Sequence, residues 1–318
     1  MFCVRQTTKS REMDFTMEKI YKLYPSCHDN LWGGNKLRAY GKESSSDKIA
    51  ESWELSFVSG SEAKTADGLS MSEAFPRSTW GDRCRDFEFF PTLTKFIDAR
   101  EKLSVQVHPS DEYALRHEGQ YGKTEMWYVV EADEGAGIYM GLERTVSPEE
   151  FSEMVSDGSV EKVLKFHKVH AGDVFFIPAG TVHAICGGVL IFEIQQNSTL
   201  TYRLYDYMRR DKNGNLRELH VDKAMLVSDL SEYKPPVLTG GECIGSCKYF
   251  EVRRYEIDGE RSLAVGNESF LSISVVSGSG VIEGLKTSAG DSYFSPAGSG
   301  EIKLSGKLTV LAISIPER

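Results

Sequence analysis

Two histidines, a glutamate and a glutamine lie at positions where their side chains could bind a metal ion together. In the segment Leu-Ser-Val-Gln-Val-His-Pro, polar residues alternate with apolar ones, so a strand of period two places Gln106 and His108 on one face. The segment Lys-Thr-Glu-Met-Trp-Tyr predicts a second strand, on which Lys123 and Glu125 share a face. His183 follows a Pro-x-Gly turn and begins a third strand. We therefore predict that these segments form one polar site.

The residue types indicate which ion such a site would bind. Two imidazoles, one carboxylate and one neutral amide oxygen suit a borderline divalent cation such as zinc, and we expect one ion per chain. Iron, nickel or manganese could use similar ligands, because geometry and availability decide which metal is bound. The remaining histidines have no comparable partner and are interpreted as surface or structural residues: His28, His117, His167, His170 and His220.

The elements that position these residues are predicted to be short β-strands, because helical periodicity is scarce. Glycine-punctuated runs of apolar and aromatic residues are typical of a β-sandwich or barrel. The runs that predict strands include 93–99, 102–109, 125–132, 135–142, 173–180, 188–195 and 200–207. Three short helices are predicted, at Ser110–His117, Ser147–Ser156 and Asp222–Asp229.

One segment of the sequence occurs twice. His170–Gly180 returns 118 residues later as Ser288–Gly298, and each copy precedes a further strand. Two copies of a small β unit suit a chain of 318 residues, since domains of roughly 150 residues are typical. The same offset from His183 leads to Glu301, so the second copy is predicted to keep the scaffold without the metal ligands.

The repeat predicts two β units, and the polar stretch before Met17 predicts an N-terminal extension, which gives three parts. We expect an N-terminal extension at residues 1–19, a metal-binding catalytic domain at 20–235 and a metal-free C-terminal domain at 236–318. The seam is predicted in the segment 234–241, because proline and glycine are concentrated there.

Composition and charge disfavour several classes of partner. The chain has 47 acidic and 37 basic residues, a net charge of −10 and no basic stretch, which argues against nucleic acid and anionic membranes. No apolar run approaches the roughly 18 residues of a membrane span, and no signal peptide is recognisable. Six scattered cysteines do not form a disulfide pattern, so a cytoplasmic location is expected. A monomer is preferred and a dimer is left open.

The run from Gly172 to His183, Gly-x5-Pro-x-Gly-x2-His, resembles the second motif of the cupin superfamily. Further motifs make the chain similar to type I mannose-6-phosphate isomerases of the short bacterial form. These motifs are Trp32–Gly34, Ile49–Ser56, Lys102–Pro109, Lys123–Tyr128, Pro178–His183 and Thr201–Asp206. The resemblance extends from about residue 20 to the C-terminus. It implies an all-β fold of two cupin-type jelly-roll β-barrels with a few short helices.

The resemblance also implies roles for individual residues. The implied zinc ligands are Gln106, His108, Glu125 and His183, the same set that strand geometry brings together. The implied pocket residues, which are the candidate catalytic residues, are Lys95, Lys123, Glu193 and Arg203. Two positions depart from the related patterns: Gly187 replaces the superfamily's asparagine, and Thr124 replaces the family's usual proline. Neither position supplies a predicted ligand.

The activity implied by the resemblance is the interconversion of mannose 6-phosphate and fructose 6-phosphate. A proton would move between C1 and C2 through an enediol, while zinc polarises the sugar oxygens. Arg203 and the lysines are candidates for holding the phosphate or stabilising the enediolate. The base is left open between Glu193, a lysine of lowered pKa and a metal-bound water.

Two other functions are considered for the same sequence. An iron-dependent cupin dioxygenase is disfavoured, because an apolar substrate would not need the lysines and the arginine. A non-catalytic double cupin that binds a sugar phosphate is disfavoured, because none of the four predicted ligands is missing.

Overall fold

The computed structural model describes residues 18–211, 213–236 and 240–317. This part of the chain is mostly β with short helices, as predicted. The predicted extension at residues 1–19 lies, up to residue 17, outside the described residues, and so do residues 237–239 of the predicted seam. Among the described residues, no helix is long and apolar enough to cross a membrane.

The strands and helices are numbered in chain order. The strands are β1 Tyr21–Leu23, β2 Ser26–His28, β3 Glu51–Leu55, β4 Thr92–Ala99, β5 Val105–Val107, β6 Glu125–Ala132, β7 Gly137–Leu142, β8 Leu164–Lys168, β9 Val174–Ile177, β10 His183–Ile185, β11 Val189–Gln196, β12 Tyr202–Tyr205, β13 Cys243–Cys247, β14 Phe250–Val265, β15 Leu271–Ile282, β16 Leu285–Ser288, β17 Ser292–Ser295 and β18 Gly300–Ser314. The α-helices are α1 Met71–Ala74, α2 Asp111–His117, α3 Pro148–Asp157 and α4 Val221–Val227.

Three antiparallel sheets organise these strands. A six-stranded sheet has the order β2-β3-β4-β11-β6-β9, and a five-stranded sheet has the order β12-β5-β10-β7-β8. A seven-stranded sheet has the order β1-β17-β15-β18-β14-β13, with β16 paired to β15. Strand β1 belongs to this third sheet through its pairing with β17, so a segment near residue 20 is joined to the C-terminal part of the chain.

The six-stranded sheet is buried on both faces. Its inner face, with Trp127 and Ile191, packs against Ile185 of the five-stranded sheet. Its outer face, with Phe192, packs against Phe250 of the seven-stranded sheet. This double burial explains why strand β11 is a continuous apolar run, broken on its inner face by Glu193 and Gln195.

The predicted helices cover the outer face of the five-stranded sheet. Phe151 of α3 and Ala224 of α4 share a core with Val105 and Val107. Helix α3 begins after Ser147, whose hydroxyl accepts a hydrogen bond from the backbone N–H of Glu150. The apolar residues of β5 pack in this outer core. Because successive side chains of a strand point to opposite faces, the polar residue Gln106 faces the inner side of the sheet.

The sequence repeat corresponds to a repeated turn and strand. Strands β9 and β17 are offset by the same 118 residues as the repeated segments. Gly172 and Gly290, which precede them, have φ of 92° and 98°, a conformation that favours glycine. Glu301, which stands at the position of His183 in the second copy, is exposed.

Candidate metal centre and pocket

The candidate ligands come from two facing sheets. Gln106 lies in β5 and pairs in register with His183, the first residue of β10. His108 follows the end of β5. Glu125 begins β6 of the opposite sheet, so the inner faces of both sheets contribute.

The side chains converge on one point. His183 Nε2 lies 3.3 Å from Glu125 Oε1, and His108 Nε2 lies 3.5 Å from Glu125 Oε2. Nε2 of the Gln106 amide lies 3.2 Å from His183 Nε2. A turn of this amide about its terminal bond would exchange Nε2 for Oε1, the atom that can bind a cation. One ligand atom from each of His108, Glu125 and His183 lies within 4.8 Å of the others.

Backbone carbonyls orient both imidazoles. His108 Nδ1 donates to the carbonyl oxygen of Leu200 at 2.8 Å, and His183 Nδ1 donates to that of Thr181 at 2.9 Å. Because a carbonyl oxygen can only accept, Nδ1 carries the proton in each ring. Each Nε2 therefore carries the lone pair that a metal ion would bind, and in this structure it faces a nitrogen donor: Lys123 Nζ at His108 and the Gln106 amide at His183.

The protonation states of these residues suit a divalent cation. Burial, followed by the charge of Lys123, lowers the pKa of His108 to about 3, and burial lowers the pKa of His183. Burial disfavours the ionised form of Glu125, but Lys123 and His108 outweigh it and hold the pKa well below the usual range. Glu125 Oε1 accepts no hydrogen bond, whereas Oε2 is paired with the Lys123 ammonium group. A metal ion binds to neutral imidazoles and to an ionised carboxylate, which are the protonation states of these three residues.

Lys123 lies among the candidate ligands. Its Nζ is 2.7 Å from Glu125 Oε2 and 3.2 Å from His108 Nε2. The same Nζ is 3.5 Å from Glu193 Oε1. Burial disfavours the ammonium ion, but Glu125 and Glu193 outweigh it and raise the pKa of Lys123. Lys123 is therefore charged in this arrangement, which disfavours Lys123 itself as the lysine of lowered pKa.

A pocket of about 330 Å³ adjoins the candidate ligands. Gln106 and all four predicted pocket residues line it: Lys95, Lys123, Glu193 and Arg203. The described residues around the pocket also include polar groups that sequence analysis did not assign, among them Asn30, Glu51 and Arg217.

Glu193 and Lys95 face each other across paired strands of the six-stranded sheet. They are partners in the β11–β4 register, with 3.9 Å between Glu193 Oε1 and Lys95 Nζ. Glu193 Oε2 accepts from Trp127 Nε1 at 3.1 Å, whereas the buried Oε1 accepts no hydrogen bond. Burial and the nearby charge of Glu125 raise the pKa of Glu193. Lys95 also pairs with Glu51 Oε2 at 3.3 Å.

Arginines form the opposite side of the pocket. Arg203 pairs in register with Gln106 and donates from Nη1 to the carbonyl oxygen of Glu218 at 2.7 Å. Its buried Nε has no hydrogen-bond partner. Arg217 lies nearby, 3.3 Å from Asp206 Oδ1. Burial, followed by repulsion from Arg217, lowers the pKa of Arg203, so positive charge is in excess here.

Glu51 and Arg217 were not predicted to be pocket residues, and only Glu51 lies within one of the sequence motifs. Glu51 lies in the motif Ile49–Ser56, but its strand pattern alone does not show that it would pair with Lys95. Arg217 lies in no motif, and it reaches the pocket only through the folding of the segment after β12.

The fold and these side chains define a mostly β protein with a buried candidate metal centre beside a strongly polar pocket. Two family models match the chain: the catalytic domain of type I phosphomannose isomerase at residues 20–134 and the cupin domain of mannose-6-phosphate isomerase at residues 243–315. The chain belongs to the type I mannose-6-phosphate isomerase family.

Individual relatives extend this match over most of the chain. Mannose-6-phosphate isomerase ManA of Bacillus subtilis is 38% identical over 92% of this chain and 97% of its own length. Mannose-6-phosphate isomerase of Streptococcus mutans is 37% identical over 82% of this chain and 85% of its own length. A crystal structure of the mannose 6-phosphate isomerase from B. subtilis superposes with a TM-score of 0.84 at 32% identity, covering 93% and 99% of the two chains.

Proposed function

We propose that this chain interconverts mannose 6-phosphate and fructose 6-phosphate with one zinc ion. The zinc would be held by Gln106, His108, Glu125 and His183. The observation that carries the proposal is the convergence of neutral imidazoles and an ionised carboxylate beside a pocket lined by lysines and arginines. The names of the relatives support the choice of substrate. When bound, zinc would supply a Lewis acid that polarises sugar oxygens.

The arginine side of the pocket is proposed to hold the phosphate group. Arg203 has a buried Nε without a partner, and Arg217 adds a second guanidinium to the same wall. A phosphate dianion would accept hydrogen bonds from both and would neutralise the excess positive charge. This assignment orients the sugar with its C1 and C2 atoms towards Lys123 and Glu193.

Glu193 is proposed to remove the proton from one carbon and return it to the other. A carboxylate with a raised pKa is a stronger base and can also return the proton near neutral pH. Its Oε1 is free of hydrogen bonds, whereas its Oε2 is fixed by Trp127. Lys95 and Lys123 both lie close to Glu193 Oε1 and would stabilise negative charge on the sugar oxygens as the enediol forms.

The fold supports a finer proposal about the domains. We assign a cupin-type jelly-roll barrel with the metal site to residues 20–235 and a metal-free barrel of the same type to residues 236–318, with β1 of the first part added to the sheet of the second. The repeated turn and strand support this assignment, and so does the separate core of the C-terminal sheet, which includes Ile273 and Val310. We also propose that the protein is a monomer and that it is cytoplasmic, the latter because its six cysteines form no disulfide pattern.

The function is tested with purified protein and mannose 6-phosphate. We expect formation of fructose 6-phosphate that is lost after chelation and restored by zinc. His183→Ala should abolish the zinc-dependent activity, whereas the exposed His170→Ala serves as the matched control and should retain it. A folded protein without activity in any metal state would contradict the proposal and favour a non-catalytic sugar-phosphate-binding protein.

A further inference from the structure

Gln196, at the end of β11, binds the backbone between two residues of the site. Its backbone N–H donates to the carbonyl oxygen of Thr124 at 3.1 Å. Its side-chain Oε1 accepts from the backbone N–H of Thr124 at 2.7 Å. Both polar backbone groups of Thr124 are therefore bonded to one residue, which is only 2% exposed. The neighbours of Thr124 in the chain are Lys123 and Glu125.

Asp111 determines which way the Gln196 amide points. Its Oδ1 accepts from Gln196 Nε2 at 2.7 Å and from the backbone N–H of Gly122 at 2.9 Å. Because Oδ1 already accepts from the backbone N–H of Gly122 and acts as an acceptor here too, the NH2 group of the amide must face Asp111. Oε1 is thereby directed at the N–H of Thr124. Asp111 thus anchors the backbone at Gly122 directly and at Thr124 through Gln196.

The hydroxyl group of Tyr249 joins the C-terminal part of the chain to this network. Tyr249, between β13 and β14, donates its hydroxyl to Asp111 Oδ2. The tyrosine is 5% exposed, and its ring packs against Tyr121 with 5.3 Å between centroids. Its backbone carbonyl accepts from Thr92 Oγ1 at 2.7 Å, which fixes the turn on the catalytic part. Packing and hydrogen bonding together hold the hydroxyl in place.

We propose that Tyr249, Asp111 and Gln196 form a positioning relay through which the C-terminal part of the chain keeps Lys123 in the pocket wall and Glu125 in the candidate metal centre. Side chains on either side of Thr124 move with its backbone, so a tilt at this residue displaces a candidate metal ligand and a pocket cation together. The proposal rests on the proposed function for its activity readout, and zinc affinity provides a second readout.

Position 124 offers a specific test of the relay. Proline there has no N–H to donate, and its ring restricts φ without help from a side chain. Thr124→Pro would remove the N–H that Gln196 Oε1 accepts from, and the ring would restrict the backbone in its place. The effect of losing the Gln196 side chain should therefore depend on which residue occupies position 124.

The experiment compares Gln196→Leu in the natural background and in Thr124→Pro. In the natural background we expect kcat and zinc affinity each to fall about tenfold, as when an outer hydrogen bond to a metal site is lost, with little change in KM. In the Thr124→Pro background the same substitution should cost less than about threefold. Zinc affinity is measured by competition with a chelator. Equal losses in the two backgrounds, or no loss in either, would overturn the relay.

A second pair of variants decides the question if Thr124→Pro fails to fold. Tyr249→Phe removes one hydroxyl and should lower kcat and zinc affinity by about threefold or more, with little change in KM. The matched control is Tyr293→Phe, because Tyr293 is fully buried in the C-terminal core, whereas Tyr249 packs in the other core, with Tyr121. Identical kcat and zinc affinity in the two variants would refute the role of Tyr249. An inactive natural protein would refute the proposed function, while zinc affinity would still test the relay.

Discussion

Among single residues, the site depends on two neutral imidazoles and on Glu193, one of whose carboxylate oxygens accepts no hydrogen bond. His108 and His183 each donate Nδ1–H to a carbonyl, so neither ring can rotate without losing a buried hydrogen bond. Glu193 is fixed through one oxygen only, and its other oxygen lies next to two ammonium groups. These details distinguish residues that would hold a metal from a residue that would move a proton.

Glu193→Gln should lower kcat by at least about a hundredfold, because the amide cannot accept a proton from carbon. The variant keeps the shape of the side chain, so zinc affinity and KM should change little.

Since burial and Glu125 raise the pKa of Glu193, kcat/KM of the natural enzyme should fall as the pH drops through a pKa above the ordinary glutamate range. Steady-state kinetics across pH provide the measurement, and a loss of kcat below tenfold would contradict this role.

The metal-free protein should lose stability in acid through His108. The pKa is lowered from 6.5 to about 3 on folding, so below pH 6.5 the unfolded chain binds the proton that the folded chain excludes. The stabilising contribution is therefore complete above pH 6.5 and is lost as the pH falls towards 3. Urea unfolding at pH 7 and pH 5 should show a smaller acid-induced loss for His108→Asn than for the natural protein. Exposed His170→Asn should behave like the natural protein, and an unchanged loss in His108→Asn would refute the assignment.

At the scale of elements, close backbone packing shapes the pocket wall that carries Trp32. Gly33 forms a β-bridge with Ala99, and a Cβ on Gly33 would lie 2.5 Å from Cβ of Ala50. Ala50 itself is fully buried and precedes Glu51 of β3. The glycine therefore allows the Trp32 segment to lie directly against the strand that supplies Glu51.

Gly33→Ala should lower the free energy of unfolding by about 1–3 kcal/mol, because the added methyl group forces two buried segments apart. KM should rise as well, since Trp32 lines the pocket. Gly240→Ala is the matched control, because a Cβ at that position meets no atom within 4 Å. Thermal unfolding and steady-state kinetics are the measurements, and equal stability of the two variants would contradict the packing argument.

For the whole molecule, the buried ion pair between Lys42 and Glu54 links the N-terminal part to the C-terminal sheet through a hydrogen bond to Gly290. Lys42 Nζ lies 2.7 Å from Glu54 Oε1 and also donates to the carbonyl oxygen of Gly290, before β17. Glu54 is fully buried, and its second oxygen accepts no hydrogen bond. Phe96, whose ring lies 5.3 Å from Lys42 Nζ, belongs to the core shared by the two parts.

Lys42→Met should destabilise the protein by about 3–5 kcal/mol, because it leaves a buried carboxylate without its counter-ion. The double variant Lys42→Met/Glu54→Leu should recover much of this loss, since no isolated charge remains. Arg144→Met breaks the exposed pair with Glu150 and should change stability little. Urea denaturation measures all three, and a double variant no more stable than Lys42→Met would show that the charge is not the cause.

Local pattern in the sequence determined which residues face the site. The period of two in Leu103–Pro109 separates Gln106 and His108 from the valines, because successive side chains of a strand point to opposite faces. The repeated turn also follows from local chemistry, since glycine at 172 and 290 permits the positive φ. The mostly β fold and the helices near residues 110, 147 and 222 were predictable for the same reason.

The contact partners of the site residues depend on the tertiary structure. Glu51 pairs with Lys95, Arg217 reaches the wall beside Arg203, and Tyr249 contacts Asp111 across 138 positions of the chain. Such contacts depend on strand register and on how three sheets stack, which are set by the packing of the whole core rather than by neighbours in sequence. The alternation of a strand therefore shows which side chains point inward, but only the packed sheets determine their partners.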